Sequence, residues 1–217
     1  MKESNLPPLD IIFEDKKIIA VNKSSGQAVI PGRGLEQEPL VAQVTTHIGT
    51  KAFVVHRIDL ETSGLVVFAK DADMHRKLSQ LWEERGVKKT YLAWVRGTME
   101  KSEGSFKGHL KEFGSGRMGV HPKGKPSETH YKALKTSEQA TLLEVEPLTG
   151  RRHQIRVHLY HAGHPVLGDS LYGQERPVGG QPRLLLHASQ LRFRHEGEDL
   201  VLTAEPPADF RLSAVPK

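Results

Sequence analysis

The chain has 217 residues, 37% of them hydrophobic, enough for one domain with a real core. Lys and Arg outnumber Asp and Glu by 31 to 26, a modest basic excess that permits a polyanionic partner without requiring one. Cysteine is absent, which excludes disulfides, thiolate metal sites and a Cys nucleophile. No apolar run has the length of a signal-peptide core or a membrane span, so the chain reads as cytoplasmic.

A leader, residues 1–8, ends at Pro7-Pro8, and residues 9–217 read as one domain. Two strands, Asp10 to Phe13 and Lys17 to Val21, flank a Glu14-Asp15 turn, and a loop bearing Gly and Pro runs from Asn22 to Gly34. Pro39 opens a short helix to about Ile48, since Pro suits a helix start. Two apolar runs of strand length, Ala52 to Val55 and Leu65 to Ala69, enclose a polar string from His56 to Gly64. Asp71 to Arg85 has Met74, Leu78, Leu81 and Trp82 at helical spacing, with Asp71 and Asp73 near its start and Gly86 as its stop. Lys88 to Arg96 alternates as a strand carrying Tyr91. Gly97 to Ser127 is polar and Gly-rich, with one short strand near Phe106 to Lys111. Thr129 to Leu134 and Ala140 to Val145 read as an antiparallel pair, and Arg152 to His161 as a helix ended by Gly163. Leu184 to Phe193 and Asp199 to Thr203 are closing strands. The sum predicts an α+β fold: a mixed, largely antiparallel sheet with flanking helices.

Some strings imitate familiar chemistry. Gly114 to Gly119 fits GxGxxG, but Lys111-Glu112-Phe113 precedes it where dinucleotide binding needs a buried strand, and no helix follows. Gly119 to Lys125 fits the first part of a P-loop, yet Pro126 stands where Ser or Thr must hold magnesium. A Gly-rich, basic surface loop open to the phosphates of a polyanion suits both stretches better. His153, His158, His161 and His164 crowd one segment, but no Glu completes a HExxH arrangement, so no metal site is assigned.

The string His56-Arg57-Ile58-Asp59-Leu60-Glu61-Thr62-Ser63-Gly64 puts a carboxylate on a short tether between two strands, a common way to hold a reactive group over a cleft. Alone, such an Asp equally suits an Asx-type turn. The string resembles the HRLDxxTSG motif of the RluA-like family of RNA pseudouridine synthases, with Ile58 in place of the usual Leu. Thr149-Gly150-Arg151-Arg152-His153-Gln154-Ile155-Arg156-Val157-His158 resembles that family's TGRxHQIRVH motif, Lys88-Lys89-Thr90-Tyr91 its KxY strand, and Arg183 to Ala188 its RLxLHA strand. Leu9 to Asp15 with Val21-Asn22-Lys23, Gly163 to Asp169, and Glu205 to Phe210 are similar to its opening, GHPILGD and closing segments. The resemblance spans about residues 9 to 210. With Val29-Ile30-Pro31-Gly32-Arg33 it is nearest to the short RluA type, without the small N-terminal RNA-binding domain of many relatives.

That resemblance implies the pseudouridine synthase fold and an isomerase that needs no cofactor and no metal. Its implied partner is a stem-loop of ribosomal RNA, tRNA or both, and the implied protein is a monomer. Asp59 is then the catalytic carboxylate, acting as nucleophile at the ribose or the ring or as base at carbon 2′. Tyr91 stacks on the target base, and Arg156 pairs with Asp59. Arg57 fills the gap left by the flipped uridine or holds phosphate, and Arg151, Arg152 and His153 face the RNA. Helical spacing puts Arg152 and Arg156 one turn apart on one face. Two other readings stay open: an RNA-binding or ribosome-assembly factor that keeps the fold without turnover, and a hydrolase that releases free uracil.

Overall fold

The computed structural model describes residues 8–32, 34, 37–114 and 116–212. Residues 1–7 of the expected leader, Arg33 of the short-type string and Ser115 of the glycine string lie outside the described residues. The elements run β1 (Ile11–Glu14), β2 (Ile18–Lys23), α1 (Leu40–Ile48), β3 (Phe53–Val54), β4 (Ser63–Ala69), α2 (Ala72–Glu83) and β5 (Lys88–Arg96). There follow β6 (Glu103–Glu112), β7 (Met118–Val120), β8 (Lys125–Thr136), β9 (Ala140–Pro147), α3 (Gln154–His161), β10 (Leu186–His195) and β11 (Glu198–Thr203). One sheet holds these strands in the order β1-β2-β4-β10-β5-β9-β8-β6-β7, with β3 on β4 and β11 on β10. Among the described residues only β4 and β10 pair in parallel, so the expected α+β architecture with a mixed, largely antiparallel sheet holds. Among the described residues no helix is long and apolar enough to cross a membrane.

The apolar run of β4 makes it the centre. All seven of its residues are buried, as a strand covered on both faces requires. Leu65 and Val67 pack with Met74 and Leu78 of α2, while Val66 and Phe68 face Leu40 and Val44 of α1. Burying each such side chain stabilises the fold by about 1.5–3 kcal/mol. Asp71 caps α2 by accepting the Met74 N–H at 2.7 Å. The stop of α2 differs from expectation. Arg85, not Gly86, takes the left-handed position (φ 60°), with Gly86 N–H donating to Leu81 O and Arg85 N–H to Trp82 O in a Schellman closure.

The polar stretch after β5 holds more strand than its composition suggests. In place of one short strand there are the ten residues of β6, then β7, and β8 already begins at Lys125. Gly104 within β6 marks close contact rather than loop: a Cβ there would come within 2.8 Å of the Tyr131 hydroxyl, and Phe106 stacks on Tyr131 beside it.

The parallel junction is two residues long, Ser63 opposite His187 and Gly64 opposite Ala188. Gly64 (φ +114°) lies so near Ala188 that a Cβ would stand 2.3 Å from its carbonyl oxygen, so only glycine lets the strands meet. Arg183 donates to Ser63 Oγ at 2.7 Å, and Ser63 Oγ lies 2.9 Å from His187 Nδ1. His187 Nε2 faces the Ala204 carbonyl at 3.0 Å, which requires the proton on Nε2 and makes Ser63 the donor to Nδ1. Past this junction β11 takes the place of β4 beside β10. The polar loop that precedes Ser63 therefore ends at a seam in the sheet.

Candidate active site

That loop is tied down by its own backbone. The Lys23 ammonium, 1% exposed, donates to the carbonyls of Ser24, Gln27 and Leu60 at 2.8–3.0 Å. Three acceptors use all three of its protons, although burial pushes its pKa down to about 7, against the opposing pull of the Asp59 carboxylate. Gly26 N–H also donates to Leu60 O at 2.9 Å, and Ser25 Oγ to Glu61 O at 2.6 Å. Thr62 N–H closes the turn on Asp59 O at 3.2 Å. Asp59 thus stands on a braced turn.

Opposite it is Arg156, 2% exposed, on α3. Its Nε and Nη2 hold the fully buried Asp169 at 2.8 Å each, a bidentate pair. Nη2 also meets Glu61 at 3.2 Å, and Nη1 meets Asp59 at 3.4 Å. The expected Arg156–Asp59 pairing is present, but as the longest of these contacts. Burial works to lower the guanidinium pKa; Asp169, then Asp59 and Glu61, more than offset it and raise it. Asp169 accepts the N–H groups of Leu171 and Tyr172 as well, at 2.8 and 2.9 Å, and Ser170 Oγ donates to Glu61 at 2.8 Å. One arginine therefore locks the Asp59 turn to the loop that follows α3.

The start of α3 corrects the reading of a helix from Arg152. His153 has left-handed backbone (φ 53°) and the helix begins at Gln154, so Arg152 and Arg156 do not share a helix face. Gln154 causes the break. Its buried amide accepts from Thr149 Oγ1 and Arg151 N–H and donates to Glu128 O and Thr129 Oγ1, using all its capacity to pin the segment to β8. Arg152 is left outside, paired with exposed Glu112 at 2.6 Å. His158, one turn on, is buried between Ser127 Oγ (2.9 Å) and Thr129 Oγ1 (2.8 Å), and His164 Nδ1 lies 3.0 Å from Arg96 O. The clustered histidines serve separate partners.

Asp59, Arg156, Tyr91, Arg57, Arg151 and His153 all line one cavity of about 280 Å³. Arg152 is not among its walls; it borders the neighbouring groove with Lys123 and Lys125. Arg57 is exposed at the rim, and Arg151 reaches the Pro126 carbonyl at 3.3 Å. Tyr91 packs between the clusters under α1 and α3, and burial, with Asp59 nearby, raises its pKa, so its hydroxyl stays protonated. Tyr172 Oη accepts the Met118 N–H at 2.9 Å and lies in hydrogen-bond contact with His153 Nδ1 at 2.8 Å. Burial lowers the His153 pKa, against the pull of Asp59. At the far wall His56 stacks on Trp82 and accepts the Val67 N–H at 3.0 Å; burial, then Lys89, pushes its pKa down to about 3.

Sequence reasoning missed Lys23, Glu61, Gln154 and Asp169 as parts of the site. Each lay within a quoted string, but only as a letter of resemblance. The signal was a polar residue type in a segment that the fold buries.

A family model described as RNA pseudouridylate synthase matches residues 17–161. The chain is 38% identical over 207 residues to the dual-specificity RNA pseudouridine synthase RluA of Vibrio cholerae, across 94% of this chain and 84% of that protein. It is 38% identical over 212 residues to ribosomal large subunit pseudouridine synthase C of Vibrio parahaemolyticus, across 94% and 67%. With ribosomal large subunit pseudouridine synthase D of Nitrosomonas europaea the identity is 37% over 227 residues, across 96% and 64%. The solved structure of human RNA pseudouridylate synthase domain containing 1 matches with a TM-score of 0.82 at 26% identity, across 95% of this chain and 87% of that one.

Proposed function

The chain belongs to the RNA pseudouridylate synthase family, and from that premise we propose that it isomerises specific uridines in stem-loops of ribosomal RNA, tRNA or both, with Asp59 as the catalytic carboxylate. The observation that carries this reading is the meeting of Asp59, Tyr91 and Arg156 in one small cavity, with the Asp59 turn held from both sides. A cavity of about 280 Å³ is of the scale of a single nucleoside, so the uridine leaves its stack to enter, at a cost of a few kcal/mol that is least in a loop.

In the reaction the bond from ribose to N1 breaks and carbon 5 takes its place. The proton lost from carbon 5 is made good at N1, so the atoms balance within the nucleotide. Asp59 drives detachment of the base, as nucleophile or as base at carbon 2′. Arg156 is a positioning residue, since its shortest bonds go to Asp169 and Glu61 rather than to the reacting group. Tyr91 stacks on the uracil. As a neutral phenol it takes a proton from carbon 5 only while passing its own on, which makes it a relay. Arg57, Arg151 and His153 face the RNA at the rim, and Arg152 meets phosphate just beyond it. We further propose that it acts as a monomer, in the cytoplasm with its RNA.

The test is tritium release from ribosomal RNA and tRNA transcripts carrying tritium at carbon 5 of uridine. Asp59→Asn is expected to lose turnover by about 10³-fold or more while still binding the transcripts. Retained turnover refutes the assignment. Free uracil as product points to a hydrolase instead, and stoichiometric binding without product by the wild type points to a binding factor.

A further inference from the structure

A second groove, of about 600 Å³, adjoins the catalytic cavity and shares Lys89 and Pro147 with it. Its walls carry Arg85, Lys88, Lys89, Arg192 and Arg194 against two carboxylates, Glu146 and Asp199. Lys88 is matched by Glu146 at 2.8 Å and Arg192 by Asp199 at 2.7 Å. Arg85 and Lys89 form no ion pair among the described residues; Arg194 stands across the strand from Asp199, which Arg192 already holds, and donates to the Gly197 carbonyl.

The placement of Arg85 and Lys89 is uneconomical for the protein alone, and Arg194 shares a single carboxylate with Arg192. Lys89 is half-buried beside the like charge of Arg85, and both burial and that charge lower its pKa. Arg85 sits at the left-handed closing position of α2, where an arginine is disfavoured by about 1–2 kcal/mol, although a glycine is the next residue. An anion in the groove relieves the repulsion. Between the charges the floor is apolar, formed by Val87, Pro147 and Leu148, the last 41% exposed. Charge spaced along a channel with apolar surface between suits a single nucleic-acid strand, with its alternation of phosphate and ribose or base.

We propose that this groove holds the backbone of the RNA strand running on from the target nucleotide, with Arg85, Lys89 and Arg194 as its phosphate contacts. The inference rests on the reading of the cavity as a uridine site. It extends the RNA interface to the α2 end of the molecule, away from Arg151 and Arg152.

The test is the double variant R85N/R194Q. Asparagine tolerates the left-handed backbone at position 85, and neither residue lines the catalytic cavity. The control, K101A/K135A, removes the same charge at exposed positions remote in sequence from the groove: Lys101, in the turn after β5, and Lys135, paired with Leu142 near the start of β9. The probe is a fluorescein-labelled RNA hairpin with a uridine loop and single-stranded tails, titrated over a series of KCl concentrations. Each lost contact with a single strand lowers the slope of log K against log salt by about 0.7. R85N/R194Q is therefore expected to flatten the slope by about 1.4, and the control to leave it unchanged. On tritiated transcripts the variant is expected to raise KM and keep kcat. An unchanged slope, with wild-type turnover intact, overturns the groove and leaves the enzymatic reading standing. A flattened slope with no wild-type turnover on any transcript does the reverse. If polyglutamate, and not RNA, loses affinity for the variant, the groove takes an acidic protein and the proposal fails.

Discussion

Arg156 and Arg152 stand four residues apart in one motif and occupy opposite environments. The inner wall around Arg156 matches its charges: Arg156 with Asp169, Glu61 and Asp59, and Lys23 with three carbonyls. At the rim and beyond it, Arg152 has only the exposed Glu112, and the exposed Arg57 and Arg85 form no ion pair among the described residues. Two uses of charge are separated here. Buried charges are spent on geometry and hold a carboxylate in place; exposed charges stay free for a polyanion. Changes to the wall should then cost stability and turnover, and changes to the rim should cost affinity and its salt dependence.

The sharpest way to break this contrast is Asp169→Ala, which strips Arg156 of its bidentate partner while leaving the charge buried. The expected loss is about 3–5 kcal/mol, a drop in Tm of about 6–20 °C for a chain of this size, read by thermal denaturation. If Asp169→Ala melts like the wild type, the wall is not held by charge. Next comes His158, whose burial pushes its pKa down to about 4 from an ordinary 6.5. Between these values the unfolded chain binds a proton that the folded chain refuses. Stability is therefore full above about pH 6.5 and falls on acidification, by on the order of 2–3 kcal/mol at pH 4. Urea denaturation across that range should show the slope, and His158→Gln should flatten it. The smallest effect is on the rim. Arg152→Ala should change stability by no more than about 0.5 kcal/mol, yet weaken RNA binding and flatten its salt slope by about 0.7–0.9. A loss of kcat instead would move Arg152 to the wall.

The same division decides what was legible in the sequence. The apolar periodicity of β4, α2 and β5 is a direct imprint of burial, and their positions came out within a residue or two. Asp59, Tyr91 and Arg156 were legible only because their strings resemble a family; each alone fits a turn, a packed aromatic or a solvated helix face. The partner of Arg156 was not legible, because Asp169 lies thirteen residues on in a loop whose spacing carries no period. The break before α3 was hidden for another reason. Arg152 and His153 are tolerable in a helix, and it is the side chain of Gln154, bonded to β8, that holds the turn open. In β6 the difficulty was reversed: Gly104 reads as loop, but it makes room for Tyr131 on a long, half-exposed strand.

The two-residue junction of β4 with β10 also sets an order of events at the ribosome. Ser63 and His187 are separated by 124 residues, so at about 5–20 residues per second the partner strand emerges about 6–25 s after the Asp59 loop. Arg156 and Asp169 also arrive late in that interval. Until then the loop has strands β2 and β3 beside it and no opposing wall, and a nascent chain of any shorter length carries Asp59 without the far side of its cavity. Translation itself withholds the finished site from RNA nearby until most of the chain has been made.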